Sequence, residues 1–230
     1  MALLGLPFEH RSVSVFRHMD TFKAINPLVK APTPVCDDGT VLHDSNLILQ
    51  YVESLAAPKT LWPTNHAAFV QALRITANAL VAMEKTVQCV YEEQTRPPEK
   101  RHQPWLDRVT AQLQAAYDLI EADVAKAGSG YFGNETLTRA DINVAVAWRF
   151  TQFVQAQRAP KEKYAQIAAF AARLEKLPEF VLYLGDLAWQ LFHGCAVKYG
   201  LDAKFAELNH EQSDLPIGGM KRSEAYPLVS

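Results

Sequence analysis

The chain carries little net charge of either sign and few cysteines. Its 230 residues include 23 Lys and Arg and 25 Asp and Glu, so the formal net charge is −2. Nucleic-acid-binding proteins usually show a basic stripe, and this sequence shows none, so we expect no nucleic-acid partner. The three cysteines, Cys36, Cys89 and Cys195, are odd in number and far apart. That pattern favours a reducing, cytoplasmic location over a disulfide framework.

Long apolar runs and metal-ligand motifs are also lacking. No uninterrupted apolar run approaches the ~20 residues that span a bilayer. The opening "MALLGLPFEHR" has neither the basic start nor the long apolar centre of a signal peptide. The seven histidines form no HExxH motif, and no CxxC pair occurs. We therefore expect no membrane association and no metal. The hydrophobic content of 49% is enough to form a globular core.

The first part of the chain mixes strand and helix patterns. The predicted elements are a strand over 8–15, a helical turn over 20–25, a hairpin of strands 33–36 and 40–43 around Asp37-Asp38-Gly39, and a helix over 47–55. The stretch "PKTLWPTNHA" then reads as a linker, which we place at residues 58–66.

Apolar residues at helical spacing dominate after the linker. The pattern predicts a helix of about 25 residues whose apolar stripe runs from Phe69 to Val90, and a second helix with a stripe from Trp105 to Ile120, closed by Gly128-Ser129-Gly130. A fourth helix over 167–174 stops before Pro178, and a fifth is predicted from Leu184 to Val197, before an irregular tail.

The third of these helices begins in "LTRADINVAVAW" with a capping box. Thr138 can cap the amide of Asp141, whose carboxylate can reach back to the amide of Thr138. Leu137 and Ile142 occupy the positions of a hydrophobic staple. We interpret this box as structural, because capping uses both polar side chains.

The stretch "VKAPTPVCDDGTVLHDSN", residues 29–46, contains the candidate binding site. A cis bond before Pro32 would turn the backbone of Ala31 outward and leave its N–H and C=O free for an extended ligand. Asp44 and Ser45 stand at a predicted helix N-terminus, which favours an anion. A ligand with a peptide-like middle and with a carboxylate and an amine at one end would fit. The other interpretation makes Ser45 an N-cap and Asp44 a partner of the helix dipole.

The segment "NPLVKAPTPVCDDGTVLHDSNLILQYVE" resembles the N-terminal domain of glutathione transferases. "LTRADINVAVAW" and "TRPPEKRHQPWLDR" resemble the helical C-terminal domain of bacterial members. The resemblance implies an α+β protein with a thioredoxin-like domain, incomplete at its start, followed by an all-α helical bundle. We place the domains at 1–57 and 67–200, with the tail at 201–230.

The resemblance also implies a glutathione site. Ala31, before the cis-proline Pro32, would pair its backbone with the cysteinyl part of glutathione. Asp44 and Ser45 would hold the γ-glutamyl end, and Lys30 would reach the glycyl carboxylate. The electrophilic second substrate would lie against helix faces that include residues 83–91, where Cys89 is either a core residue or part of that pocket.

Residues that carry the family's catalytic role have no counterpart in this sequence. The resemblance begins after the family's first strand and most of its first helix, which hold the Tyr, Ser or Cys that acts on the glutathione thiol. No catalytic residue is therefore assigned. One hypothesis is that the natural protein has an upstream strand and helix; the alternative is a rearranged N-terminus or a strand lent by a neighbouring chain.

Three functional hypotheses remain open from the sequence. The first is a dimeric, cytoplasmic glutathione transferase that uses glutathione as substrate, conjugates it to small electrophiles and so serves detoxification. The second is a related module that binds a ligand or partner without catalysis. The third is a helical scaffold without a ligand.

Overall fold

The structure is a computed structural model that describes residues 1–11, 13, 15, 18–132 and 136–180. The chain divides into two compact units, one that includes Met1–Ala56 and one of Ala57–Leu177. The predicted fifth helix and the tail lie outside the described residues. The described α-helices are α1 (Met19–Ile25), α2 (Ser45–Ala56), α3 (His66–Val90), α4 (Gln103–Ala127), α5 (Arg139–Gln155) and α6 (Ala165–Leu174).

The predicted hairpin is present in the N-terminal unit as a short antiparallel pair. Val35 and Val41 form a single bridge. The amide of Cys36 donates to the carbonyl of Thr40 at 2.8 Å, and Gly39 has φ 84°, a conformation that glycine adopts without steric cost. The Asp-Asp-Gly turn was therefore identified correctly, although its flanking strands are shorter than predicted.

The strand predicted over residues 8–15 is wrong for the residues that the structure describes there. Residues 8–11 and 13 have no regular secondary structure, and Val15 lies in a turn. Alternation of apolar and polar side chains favours a strand but does not form one by itself. A strand forms only where a neighbouring strand accepts and donates its backbone hydrogen bonds. None of the residues that the structure describes between 8 and 15 lies in a strand.

The helical unit has α3 at its centre. α3 packs against α4 and α5, and α6 packs against α4 and α5. The apolar spacing explains α3 well: its predicted length of about 25 residues matches His66–Val90, and Asn65 caps it by accepting from the amide of Ala68 at 3.1 Å. None of the described helices is long and apolar enough to cross a membrane.

The capping box at the start of α5 is confirmed. The amide of Thr138 donates to Asp141 Oδ2 at 2.8 Å, and the amide of Phe132 donates to Asp141 Oδ1 at 2.9 Å. Burial raises the pKa of the Asp141 carboxyl, against the effect of these hydrogen bonds. Asp141 thus anchors both its own helix and the loop before it.

Three buried hydroxyl groups connect the central helices. Tyr117 Oη lies 2.7 Å from Thr151 Oγ1, which lies 2.7 Å from Thr86 Oγ1. Thr86 in turn donates to the carbonyl of Ala82 at 2.8 Å. All three side chains are fully buried, so their hydroxyls must find hydrogen-bond partners within the protein, and they find them in one another and in nearby backbone carbonyls. Burial also raises the pKa of Tyr117.

The beginning of the helical unit packs against α5. The carbonyl of Leu61 accepts from the amide of Arg139 at 2.9 Å. The Arg139 guanidinium lies 5.1 Å from the centre of the Trp62 ring, which meets Phe69 edge-on at 5.3 Å. Part of the segment that we predicted as a linker is therefore held to the helices by hydrogen bonding and by its aromatic side chain.

Candidate functional site

The loop that carries the predicted site is organised by Asn26, a buried residue just after α1. Its side-chain amide donates to Thr33 Oγ1 at 2.9 Å and to the carbonyl of Lys30 at 3.4 Å. Its Oδ1 accepts from the amide of Leu28 at 3.0 Å, and Thr33 donates to the carbonyl of Lys30 at 2.6 Å. One buried side chain therefore spans both sides of the loop, as an Asx residue in a turn can.

The Ala31–Pro32 peptide bond is cis, as the sequence analysis expected. Ala31 is exposed. Within the described part of the chain, its backbone N–H and C=O have no hydrogen-bond partner. Both groups are available to an extended ligand.

Asp44, not Ser45, is the N-cap of α2. Asp44 Oδ1 accepts from the amides of Asn46 at 3.0 Å and Leu47 at 3.4 Å. Asp44 has φ 72°, a left-handed conformation that Asp tolerates better than most residues. The interpretation that made Ser45 the N-cap is thus wrong, because the cap lies one residue earlier.

Ser45 is the first residue of α2, and it is exposed. The amides of Asn46 and Leu47 are already bonded to Asp44, but neither the Ser45 amide nor its hydroxyl has a partner among the described residues. Ser45 therefore presents two donors at the positive end of a 12-residue helix.

Lys30 and Asp44 bring opposite charges beside these donors. Lys30 Nζ lies 3.7 Å from Asp44 Oδ2, and both side chains are substantially exposed. The two oxygens of this carboxylate have separate roles, since Oδ1 caps α2 and Oδ2 faces the ammonium group. The structure thus brings Lys30, Asp44 and Ser45 together at one place, with the open backbone of Ala31 in the same loop as Lys30.

Asn26 and Thr33 are residues that the sequence analysis did not assign to the site. In the sequence, Asn26 stood out only as the first residue of the segment that resembles the glutathione transferase N-terminal domain. Its position before Pro27 was the available signal, because Asn-Pro favours the start of a turn. Its burial and its three hydrogen bonds depend on how the loop folds back.

Cys89 is a core residue. It is fully buried beside Leu106 and Val109. Burial raises the pKa of its thiol, with Arg158 and Thr110 acting in the opposite direction. Cys36 is half-buried, and its hydrogen bond with Tyr51 raises the pKa of that phenol. In the described ranges, no group of three His, Cys, Asp or Glu residues is placed to hold a metal ion.

Comparison with known protein families identifies the class of protein that this fold and site define. Residues 1–60 match the family model for the glutathione S-transferase N-terminal domain. Residues 103–173 match the model for the glutathione S-transferase C-terminal domain. Together the two models cover more than half of the chain, which belongs to the glutathione transferase family. The α+β fold class with a thioredoxin-like domain and a helical bundle is thereby confirmed.

Individual relatives agree with this family. A glutathione transferase family member from Pseudomonas fluorescens Pf-5, solved with bound S-(propanoic acid)-glutathione, is 29% identical with a TM-score of 0.60; the match covers 69% of this chain and 78% of that one. A glutathione S-transferase from Methylobacterium radiotolerans, solved with glutathione sulfonate, shares the fold at a TM-score of 0.68 and 24% identity, over 78% and 83% of the two chains. The uncharacterized GST-like protein YibF of Escherichia coli K12 is 24% identical over 149 residues, which cover 65% of this chain and 72% of YibF.

Proposed function

We propose that this protein is a glutathione-dependent transferase that conjugates the glutathione thiolate to small electrophiles. The observation that carries the proposal is the pair of donors on Ser45 that have no partner among the described residues, beside Asp44 and Lys30, in a chain of this family. The Pseudomonas fluorescens relative with bound glutathione, at 28% identity, supports the same substrate. We also propose a cytoplasmic homodimer with a role in detoxification, and a glutathione-binding domain at residues 1–57.

Ser45 would bind the γ-glutamyl carboxylate of glutathione. The backbone N–H and the hydroxyl of one residue at a helix N-terminus can donate to the two oxygens of a carboxylate. The dipole of α2 adds a favourable interaction with the negative charge. The other first-turn amides are occupied by Asp44, so the carboxylate has a defined position beside Ser45.

Asp44 and Lys30 would exchange partners when glutathione binds. The α-ammonium group of the γ-glutamyl end would take the place of Lys30 Nζ at Asp44 Oδ2, which is 3.7 Å away in this structure. The released Lys30 ammonium would then meet the glycyl carboxylate. Because the exposed Lys30–Asp44 pair contributes little by itself, this exchange costs little free energy.

The backbone of Ala31 would hold the cysteinyl part between these two ends. Its exposed N–H and C=O can pair with the ligand backbone as in strand addition. The chemical step follows from this position. The thiolate attacks an electrophilic carbon, the carbon–sulfur bond forms, and the leaving group departs with its bonding electrons. A thiol with a pKa near 8.5 is mostly protonated at neutral pH, so catalysis requires that this pKa be lowered, and no residue of this chain is assigned to that task.

Calorimetric titration with glutathione tests the binding step. We expect Ser45→Ala to weaken binding by about 1–3 kcal/mol, because one charge-assisted hydrogen bond is lost while the amide donor remains. Ser54→Ala is a matched control in the same helix, since the Ser54 hydroxyl donates to its own helix at the Tyr51 carbonyl, 2.7 Å away. Equal dissociation constants for Ser45→Ala and the parent protein would refute the assigned role.

Turnover of a model electrophile tests the enzyme assignment separately. Conjugation of 1-chloro-2,4-dinitrobenzene with glutathione is followed by absorbance, and its rate should fall in Ser45→Ala but not in Ser54→Ala. Glutathione binding without turnover would instead favour the non-catalytic module. Absence of both would favour the scaffold hypothesis.

A further inference from the structure

The backbone carbonyl of Lys30 is held by two side chains of its own loop. It accepts from Thr33 Oγ1 at 2.6 Å and from Asn26 Nδ2 at 3.4 Å. Thr33 Oγ1 in turn accepts from Asn26 Nδ2 at 2.9 Å, so the hydroxyl is both donor and acceptor. Because Asn26 is only 2% exposed, the Lys30 carbonyl is directed toward the buried side of the loop.

The direction of this carbonyl also fixes the direction of the Ala31 N–H, because both groups belong to one peptide unit. The cis bonds of the described residues are Ala31–Pro32 and Ala57–Pro58, so the Lys30–Ala31 peptide is trans. In a planar trans peptide the N–H points opposite to the C=O. The Ala31 N–H therefore points away from Asn26 and Thr33, and it has no partner among the described residues.

The residue before Lys30 has an unfavourable backbone conformation. Val29 has φ 49°, in the left-handed region that β-branched residues rarely adopt. Its amide donates to the backbone carbonyl of Asn26 at 2.9 Å, and the amide of Leu28 donates to Asn26 Oδ1 at 3.0 Å. Such a conformation persists only where surrounding contacts determine it. Asn26 supplies these contacts with its backbone carbonyl and its side chain.

We propose that Asn26 and Thr33 are positioning residues that set the direction of the Ala31 N–H for the ligand. They act through the Lys30 peptide and do not touch the ligand. The identity of the ligand rests on the proposed function, in which the Ala31 backbone pairs with the cysteinyl part of glutathione. A donor that is already oriented lowers the ordering cost of binding. The orientation belongs to the chain without ligand, so it can be tested separately from glutathione binding.

Residual dipolar couplings of the isotope-labelled full chain, measured without glutathione, test the orientation. The coupling of the Ala31 N–H reports the angle of that bond in a frame that the amides of α2 define. Thr33→Val keeps the shape of the side chain but removes its hydroxyl. We expect the Ala31 coupling to change in this variant, beyond the scatter of the α2 amides. Thr33→Ser retains the hydroxyl and should keep the parent value.

Asn26→Asp tests the second positioning residue. The carboxylate still accepts from the Leu28 amide, but it cannot donate to Thr33. It would instead accept from the Thr33 hydroxyl and so take that donor away from the Lys30 carbonyl. We expect a changed Ala31 coupling here as well. If the buried charge prevents folding, the comparison of Thr33→Val with Thr33→Ser decides the proposal.

Two controls separate this effect from a general disturbance of the unit. Thr40→Val removes the hydroxyl of an exposed threonine that bonds to Asp38 at the hairpin turn, and the Ala31 coupling should keep its parent value. Ser45→Ala should weaken glutathione binding and also keep the parent coupling, because Ser45 would hold the other end of the ligand.

Calorimetry with glutathione measures the consequence for binding. Thr33→Val should bind roughly 3- to 10-fold more weakly than the parent chain, while Thr33→Ser and Thr40→Val should bind as the parent does. No glutathione binding by the parent chain would contradict the proposed function, and the couplings would still decide the orientation. An unchanged Ala31 coupling in Thr33→Val, or equal glutathione affinities of Thr33→Val and Thr33→Ser, would each overturn the proposal.

Discussion

Removal of the Tyr117 hydroxyl should destabilise the helical unit, because this group belongs to the buried chain that links α4, α5 and α3. The hydrogen bonds have a consistent direction. Thr86 donates to the carbonyl of Ala82, so its oxygen accepts from Thr151, and Thr151 accepts from Tyr117. The carbonyl of Ala147, 2.9 Å from Tyr117 Oη, is a second acceptor for the same hydroxyl.

The expected magnitudes follow from what each substitution leaves behind. Tyr117→Phe removes one donor, and Thr151 still donates to Thr86, so we expect a loss of about 1–1.5 kcal/mol in the free energy of unfolding. Thr151→Val keeps the shape, and Tyr117 can then donate to Ala147, so we expect a loss of about 1–2 kcal/mol. The double variant removes both partners of one hydrogen bond. Its loss should be smaller than the sum by about 0.5–1 kcal/mol.

Urea unfolding followed by circular dichroism and by tryptophan fluorescence measures these values. Trp148 meets the Tyr117 ring edge-on at 5.4 Å and reports on the same region. Tyr91→Phe is the matched control, because Tyr91 is 53% exposed and its change should stay within about 0.5 kcal/mol. Additive losses in the double variant, or single losses no larger than that of the control, would refute the proposed hydroxyl chain.

Two further predictions concern burial. Cys89 should resist iodoacetamide in the native protein and react in urea, because it is fully buried and burial raises the pKa of its thiol, while Cys36 should react without urea. Peptide mass mapping distinguishes the two cysteines. Labelling of native Cys89 at the rate of Cys36 would contradict its core position. Asp141→Ala should lower the free energy of unfolding by about 2–4 kcal/mol, because the amides of Thr138 and Phe132 both lose their acceptor. Urea unfolding measures this loss, with exposed Asp107→Ala as the surface control, and equal midpoints for the two variants would show that the capping box contributes nothing.

Local chemistry made several parts of the fold predictable. The apolar spacing of α3 gave nearly its full length, since a helix that buries one face repeats its apolar residues every three or four positions. The Thr138–Asp141 box placed the start of α5, because a cap acts on amides within the same turn. The Asp-Asp-Gly turn was identified for the same reason. The cis bond at Ala31–Pro32 and the pairing of Asp44 with Ser45 at a helix start were expected from motifs within a few residues.

Structural features that depend on contacts with residues elsewhere in the fold could not be predicted from local sequence. The strand predicted over 8–15 failed because strand formation needs a neighbour. The sequence analysis made no prediction for Glu92, whose carboxylate is buried and accepts from the amide of His102, ten residues away. The N-cap of α2 is Asp44 and not Ser45, and Asp44 has a left-handed backbone conformation. The residue types Asp and Ser do not predict that conformation.

The sequence by itself therefore determined the family, most helix positions and the segment of the candidate glutathione site, because these follow from spacing and from contacts within one turn. Only the tertiary structure decided which polar groups are buried and which remain open. Asn26 and the hydroxyl of Tyr117 are enclosed and bonded, while the amide and the hydroxyl of Ser45 have no partner among the described residues. The enclosure of Tyr117 rests on packing between residues far apart in the chain, and that of Asn26 on how its loop folds back, while the open donors of Ser45 are the groups that we propose bind glutathione.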